Sequence, residues 1–206
     1  MFMNRQLLLG TRNPGKVKEI TTILEGSEWS FSSLQEFDVV GPAAEDFATY
    51  AENAIAKAQF YAAATGLLAL ADDSGLEVAA LGGAPGVYSA RYAGAGASDA
   101  DRRALLLSEL AKVDGSDRRA RFVAAVAVAT PSGTVLNISE GICEGTIIFE
   151  PRGSGGFGYD PLFVPEGHDQ TFAEFPDVVK NRISHRARAL MQTRDFLSRD
   201  HSLDHP

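Results

Sequence analysis

Asp72 and Asp73 stand side by side after the hydrophobic run Leu67 to Ala71 and are followed by Ser74-Gly75. Neighbouring carboxylates repel unless one is protonated or a cation bridges them, and hard oxygen ligands of this kind suit Mg²⁺. The hydrophobic run reads as a strand that ends at the acidic pair, and open α/β sheets place ligands beyond the carboxyl ends of their strands. A solvated acidic turn uses the same four residues, so local chemistry leaves both readings standing. Glu45, ahead of the helix that carries Lys57, could supply a further carboxylate. Zinc is disfavoured, because Cys143 is the single cysteine and no histidine pair has ligand spacing. Ser74 is not in a GxSxG elbow and nothing local identifies a base for it, which argues against a serine nucleophile.

A second group is Gly10-Thr11-Arg12-Asn13-Pro14-Gly15-Lys16, which nearly matches a Walker A loop. The hydroxyl residue required after the lysine is Val17, so a P-loop ATPase is rejected. What survives is a strand feeding a helix start, whose N–H groups and dipole favour an anion beside Lys16. A plain strand–helix turn is the alternative. Gly153-Ser154-Gly155-Gly156-Phe157-Gly158 fits GxGxxG, but Tyr159-Asp160-Pro161 and an apparent strand follow it instead of a helix, so the Rossmann reading is rejected. A loop that lies against a base or ribose, with Phe157 or Tyr159 to stack, and a structural glycine turn both remain. Lys180, Arg182, His185, Arg186 and Arg188 crowd what reads as the start of the last helix. Cations there oppose the helix dipole unless a polyanion neutralises them, which favours phosphate binding over a merely solvated helix start.

The elements that must position these groups are legible in outline. Gln6 to Thr11 and Ser30 to Leu34 read as strands, with Asn13-Pro14 as N-cap and first helical residue between them. Thr49 and Glu52 form a capping box for a helix to Ala64, ended by Gly66, with Asn53 and Lys57 on one side of it. Gly82 to Gly96 reads as loop and Ser98 to Leu110 as helix. Strands are expected at Phe122 to Thr130, Thr134 to Glu140, Gly145 to Phe149 and Leu162 to Val164, with a hairpin at Pro131-Ser132-Gly133. A helix from Ser184 to Ser198 and a frayed tail over 200–206 close the chain. The order is mixed α/β, and the 206 residues fit one domain.

Composition narrows the function. A formal net charge of −8 argues against a general nucleic-acid binder, although a local basic cluster can still hold a phosphorylated small molecule. No apolar stretch approaches membrane-spanning length, and Met1 to Leu9 has no signal-peptide pattern, so a cytoplasmic protein is expected. Cys143, in an apolar run, reads as a buried reduced thiol.

Taken together, the motifs resemble the inosine/xanthosine triphosphate pyrophosphatases, a family of house-cleaning nucleotide hydrolases. The matching segments, in order, are Thr11–Lys16, Glu52-Asn53-Ala54 with Lys57, Ala71–Leu76, Leu81–Tyr92, Gly155–Pro161 and Ser184-His185-Arg186. The resemblance implies an α/β, elongated two-lobed fold around a long central mixed β-sheet flanked by helices, with the nucleotide in a cleft between the lobes. It further implies a homodimer, Mg²⁺ as cofactor, and hydrolysis of ITP, dITP or XTP to the nucleoside monophosphate and pyrophosphate. By position, Asp73 matches the catalytic acid and metal ligand, and Glu45 the second acidic ligand. Ser74, Lys57 and Thr11, Arg12, Asn13, Pro14, Gly15 and Lys16 match triphosphate-binding positions. Phe157, Gly158, Tyr159, Asp160, Lys180, His185 and Arg186 match positions that hold the base and the nucleotide. The family often has a small residue where Arg12 stands, and its usual acidic and Leu/Met residues are replaced around Phe175-Pro176-Asp177-Val178-Val179.

The mechanism expected from this match is in-line attack by water on a phosphorus, with Asp73 orienting or deprotonating the water and Lys16 and Lys57 offsetting charge on the leaving pyrophosphate. The rivals are a pyrophosphatase for pyrimidine or modified nucleotides and a non-catalytic nucleotide-binding protein.

Overall fold

The computed structural model describes residues 5–37, 41–113 and 117–199; the expected tail at 200–206 lies outside them. The strands are β1 (Arg5–Leu9), β2 (Trp29–Ser33), β3 (Leu68–Val78), β4 (Arg119–Ala129), β5 (Val135–Ile147) and β6 (Phe163–Pro165). The helices are α1 (Pro14–Ile23), α2 (Tyr50–Thr65), α3 (Asp99–Lys112), α4 (Asp177–Ile183) and α5 (His185–Arg199). Among the described residues the strands form one sheet in the order β2-β1-β3-β4-β5-β6. The sheet is mixed: β1 runs parallel to β2 and to β3, whereas β5 and β6 are antiparallel. No helix among the described residues is long and apolar enough to cross a membrane.

Local signals set the helix ends. Asn13 caps α1 with Pro14 at its first position, and the Thr49–Glu52 box opens α2, which Gly66 closes in the left-handed conformation. Ser98 and Asp101 form a further box at α3.

Two compact units divide the chain. The first comprises Met1–Asp73, Ala124–Gly141 and Arg186–Pro206; the second comprises Ser74–Val123 and Ile142–His185. In the first unit, strand alternation sorts the core. Leu7, Leu9 and Leu70 pack with Ile20 and Ile23 of α1 and Ala187 and Leu190 of α5. Leu8 and Ala69, one residue out of phase, pack with Tyr61 and Ala62 of α2. The second unit has its own core around Leu76, Leu106, Phe122, Phe163 and Phe172, with Cys143 buried and reduced as expected.

Three expectations change. β3 does not end at the acidic pair but runs through Asp72-Asp73-Ser74-Gly75 to Val78, because Leu76 and Val78 continue its buried ladder. The two strands expected over 134–149 are one strand, β5, in which Ser139, Gly141 and Cys143 keep alternating inward. Gly145 does not interrupt it: a Cβ there would lie 2.3 Å from the Val164 carbonyl oxygen, so glycine lets β6 pair closely. The last helix is preceded by a separate seven-residue α4, which ends at Ser184. Lys180 and Arg182 therefore occupy the last turn of α4, where the helix dipole favours cations, and not the start of α5.

Candidate active site

In the first unit, β3 presents its two aspartates to different neighbours. Asp72 shares the phase of Leu70 and so meets α1 and α5, and Asp73 shares the phase of Ala69 and meets α2. Asp72 Oδ2 lies 3.0 Å from Lys16 Nζ and accepts from Arg186 Nε at 3.1 Å. Arg186, fully buried, also donates through Nη1 to Glu19 of α1. On the other face, Asp73 Oδ1 accepts from Lys57 Nζ at 3.1 Å and Oδ2 accepts from Asn53 Nδ2 at 3.2 Å. Lys57 Nζ also donates to Glu45 Oε1 at 2.8 Å. The adjacent carboxylates thus avoid mutual repulsion by facing apart with separate cations, which the linear motif had not revealed.

Gly10 permits this arrangement. Its N–H donates to the Leu70 carbonyl at 2.7 Å, and a Cβ there would come within 2.9 Å of the Tyr61 ring. The chain can then turn from β1 into α1 hard against β3, bringing Lys16 to Asp72. At the α1 start, Asn13 Oδ1 accepts from the N–H groups of Gly15 and Lys16, and Thr11 Oγ1 accepts from Asn13 N–H. Arg12, Asn13 and Pro14 are exposed there.

The charges on the two faces differ. Burial alone would raise the Asp72 pKa, but Lys16 and Arg186 hold its carboxyl far below the usual aspartate range. Burial lowers the Lys16 pKa, with Asp72 opposing. On the Asp73 side, burial works against the Lys57 ammonium, yet Asp73, Asp72 and Glu45 outweigh it and raise its pKa. Asp73 is raised as well, first by burial and further by Glu45, against the pull of Lys57 and Lys16. Two carboxylates, Glu45 and Asp73, thus share the single ammonium of Lys57, which leaves this face one formal negative charge in surplus.

That surplus fits a hard divalent cation. Glu45 and Asp73 are brought within hydrogen-bonding reach of one ammonium, and Mg²⁺ is typically held by one or two carboxylates together with substrate phosphates. Among the described residues no three His, Cys, Asp or Glu side chains form an all-protein cage.

The second unit gathers most of the other sequence candidates. Asp160 Oδ2 accepts from Lys180 Nζ at 2.5 Å and from the Phe157 N–H at 2.8 Å. Gly156, at φ +66°, leaves room for that carboxylate, since a Cβ would stand 2.1 Å from Oδ2. Lys180 Nζ also lies 4.8 Å from the centre of the Phe157 ring, a cation–π contact. Tyr159 donates its hydroxyl to the Ser89 carbonyl at 3.0 Å, and burial raises its pKa. His185 is buried and stacks on Phe122 with ring centres 4.6 Å apart. Around Phe175–Val179 the chain enters α4, with Pro176 at the N-cap and its carbonyl accepting from Val179 and Lys180 N–H. Ser74, partly buried, follows Asp73 along β3.

Four residues outside the candidate set prove integral to these clusters. Asn53 is fully buried; besides holding Asp73, it exchanges hydrogen bonds with both the N–H and the carbonyl of Phe47, two residues after Glu45. Glu19 holds Arg186. Asp99 accepts from the Gly158 N–H at 2.7 Å while Arg103 donates to its carbonyl at 2.7 Å, fixing the peptide groups on both sides of that glycine. Asn53 carried a signal, its four-residue spacing from Lys57; Glu19, Asp99 and Arg103 carried none beyond a place on a helix.

The Ham1 family model matches residues 7–196. The chain belongs to the Ham1 family. Among its relatives, the dITP/XTP pyrophosphatase of Desulforamulus reducens is 50% identical over 194 residues, 94% of this chain and 96% of that protein. The dITP/XTP pyrophosphatase of Thermus thermophilus is 50% identical over 191 residues, covering 92% and 90%. A solved HAM1 protein from Coxiella burnetii superposes with a TM-score of 0.87 at 43% identity, covering 95% of this chain and all of that one. The expected resemblance and the mixed α/β class are thus borne out, and all six Ham1-family motif segments lie inside the matched span.

Proposed function

We propose that the chain hydrolyses ITP, dITP and XTP to the nucleoside monophosphate and pyrophosphate, removing unwanted purine nucleotides from the pool. Membership of the Ham1 family and relatives at 50% identity named dITP/XTP pyrophosphatase support the reaction class. One observation carries the site assignment: Glu45 and Asp73 converge on the single ammonium of Lys57.

In this reading Asp73 is the catalytic base. Asn53 fixes one oxygen of its carboxylate, which positions the group to take the proton of an attacking water. Lys57 and Lys16 bind phosphate oxygens and offset charge as the pyrophosphate leaves. Asp72 keeps Lys16 in place and is not a second ligand. Phe157 to Asp160, Lys180 and His185 hold the nucleoside, and hydrogen-bonding groups matched to a 6-oxo purine would reject a 6-amino group by leaving buried partners unpaired. Glu45 and Asp73 would hold Mg²⁺, which supplies charge neutralisation on the phosphates. The enzyme is read as a homodimer, in line with the sequence resemblance, and as cytoplasmic, in line with the sequence pattern; light scattering tests the dimer.

A pyrophosphate-release assay over ITP, dITP, XTP, ATP, GTP and pyrimidine triphosphates tests the proposal. Turnover confined to the first three supports it, a preference for pyrimidines moves the chain to the neighbouring pyrophosphatase class, and binding without turnover leaves a sensor.

A further inference from the structure

The Lys57 ammonium stands between the two carboxylates assigned to the metal. It lies 2.8 Å from Glu45 Oε1 and 3.1 Å from Asp73 Oδ1, and its side chain is almost wholly buried. The Asp73 carboxylate and the backbone beyond Glu45 are held independently of it. Asn53 grips the other oxygen of Asp73 and both backbone groups of Phe47, so the segment carrying Glu45 and the strand carrying Asp73 are tied together through one buried amide. Lysine, by contrast, has a flexible four-carbon stem and rotatable donors. If the ammonium moves, Asp73 stays fixed by Asn53 and the segment that carries Glu45 stays beside it. The Glu45 side chain is about one-third exposed, which leaves the site open to solvent on one side.

From this we infer that Lys57 is a built-in competitor for the metal: it neutralises Glu45 and Asp73 in the free protein, and its withdrawal to the triphosphate opens them to the cation. The inference rests on the proposed assignment of Glu45 and Asp73 as metal ligands and deepens it by adding an order of events. An ammonium on the same pair of oxygens repels an incoming divalent cation and competes with it for their lone pairs. Free Mg²⁺ must work against the charge of Lys57 or push a buried ammonium off its partners, whereas a triphosphate arriving with its cation offers Lys57 new anionic oxygens. Cation and nucleotide therefore bind with positive coupling, and linkage makes that coupling reciprocal. Lys16 is the natural control, because its partner is Asp72 on the opposite face of β3.

Calorimetric titration with Mn²⁺ alone, without nucleotide, tests the inference on wild type, Lys57→Gln, Lys16→Gln and the double variant Lys57→Gln/Glu45→Gln. Lys57→Gln should bind Mn²⁺ about tenfold more tightly than wild type, and Lys16→Gln by much less, within the roughly 5–150-fold range of such couplings. Mn²⁺ should also raise the melting temperature of Lys57→Gln more than that of wild type. Equal gains in Lys57→Gln and Lys16→Gln would reveal a general field effect and overturn the inference alone. Tight binding that survives in the double variant would overturn the metal assignment beneath it as well. Wild-type NMR with ¹³Cε-labelled lysine decides the matter even if Lys57→Gln does not fold. The Lys57 signal, identified by its loss in Lys57→Arg, should move with Mg²⁺ plus an α,β-methylene ITP analogue and hardly at all with Mg²⁺ alone. A full shift with Mg²⁺ alone refutes the order.

Discussion

Asp72 and Asp73 are neighbours in sequence but occupy opposite faces of β3, Asp72 bound to Lys16 and Arg186 and Asp73 to Lys57 and Asn53. The alternation of a strand gives the two carboxylates different environments, Asp72 between two cations and Asp73 sharing one ammonium with Glu45. On the proposed reading, Asp72 is the structural acid and Asp73 the chemical one.

Asp73→Asn should reduce turnover of ITP by at least about a hundredfold, the usual scale for loss of a positioned general base. The amide keeps the shape of the side chain, so the circular dichroism spectrum should keep its wild-type form. The melting temperature should fall, because the new NH₂ must face the Asn53 or Lys57 donors. Pyrophosphate release near the wild-type rate would remove Asp73 from the chemistry.

Arg186 matched a nucleotide-binding position in the sequence, but its guanidinium is buried against Asp72 and Glu19. Arg186→Ala should therefore destabilise the protein by about 3–5 kcal/mol, the range for removing one partner of a buried ion pair. Urea denaturation at neutral pH measures it. Unchanged stability with a raised KM would make Arg186 a substrate contact instead.

Acid should reveal the Asp72 network. Its folded pKa is depressed, so its stabilising contribution is fully present above the unfolded aspartate value of about 3.9 and is lost as pH falls toward the folded value. The stability gap between wild type and Asp72→Asn, followed by urea unfolding, should stay flat above about pH 5 and narrow below about pH 4. A gap that stays constant down to pH 3 contradicts the depressed pKa.

Gly156→Ala introduces a Cβ at a positive φ and against the Asp160 carboxylate. Displacing that carboxylate breaks its bonds to Phe157 N–H and Lys180, each of a charge-assisted kind. KM for ITP should rise about tenfold, in keeping with the loss of one such bond, with a smaller change in kcat. Steady-state kinetics on purified variants separates the two parameters, and an unaltered KM would detach this loop from nucleotide binding.

The sequence by itself determined what depends on near neighbours. Helix ends at Asn13-Pro14, Thr49 with Glu52, and Ser98 were legible because a cap is satisfied within three residues. The alternation of Leu68, Leu70 and Asp72 against Ala69, Ala71 and Asp73 was also present in the letters, and the order of the motifs carried the family. The partners of those residues were decided by tertiary structure alone. Arg186 lies 114 residues from Asp72 and 167 from Glu19, and Lys180 lies 20 from Asp160; no local rule selects such pairs. The course of β3 through Asp-Asp-Ser-Gly was likewise invisible, since those residues favour a turn until Leu76 and Val78 find a core. Caps and periods are written into adjacent residues, whereas a buried charge takes its meaning from whatever the fold brings beside it.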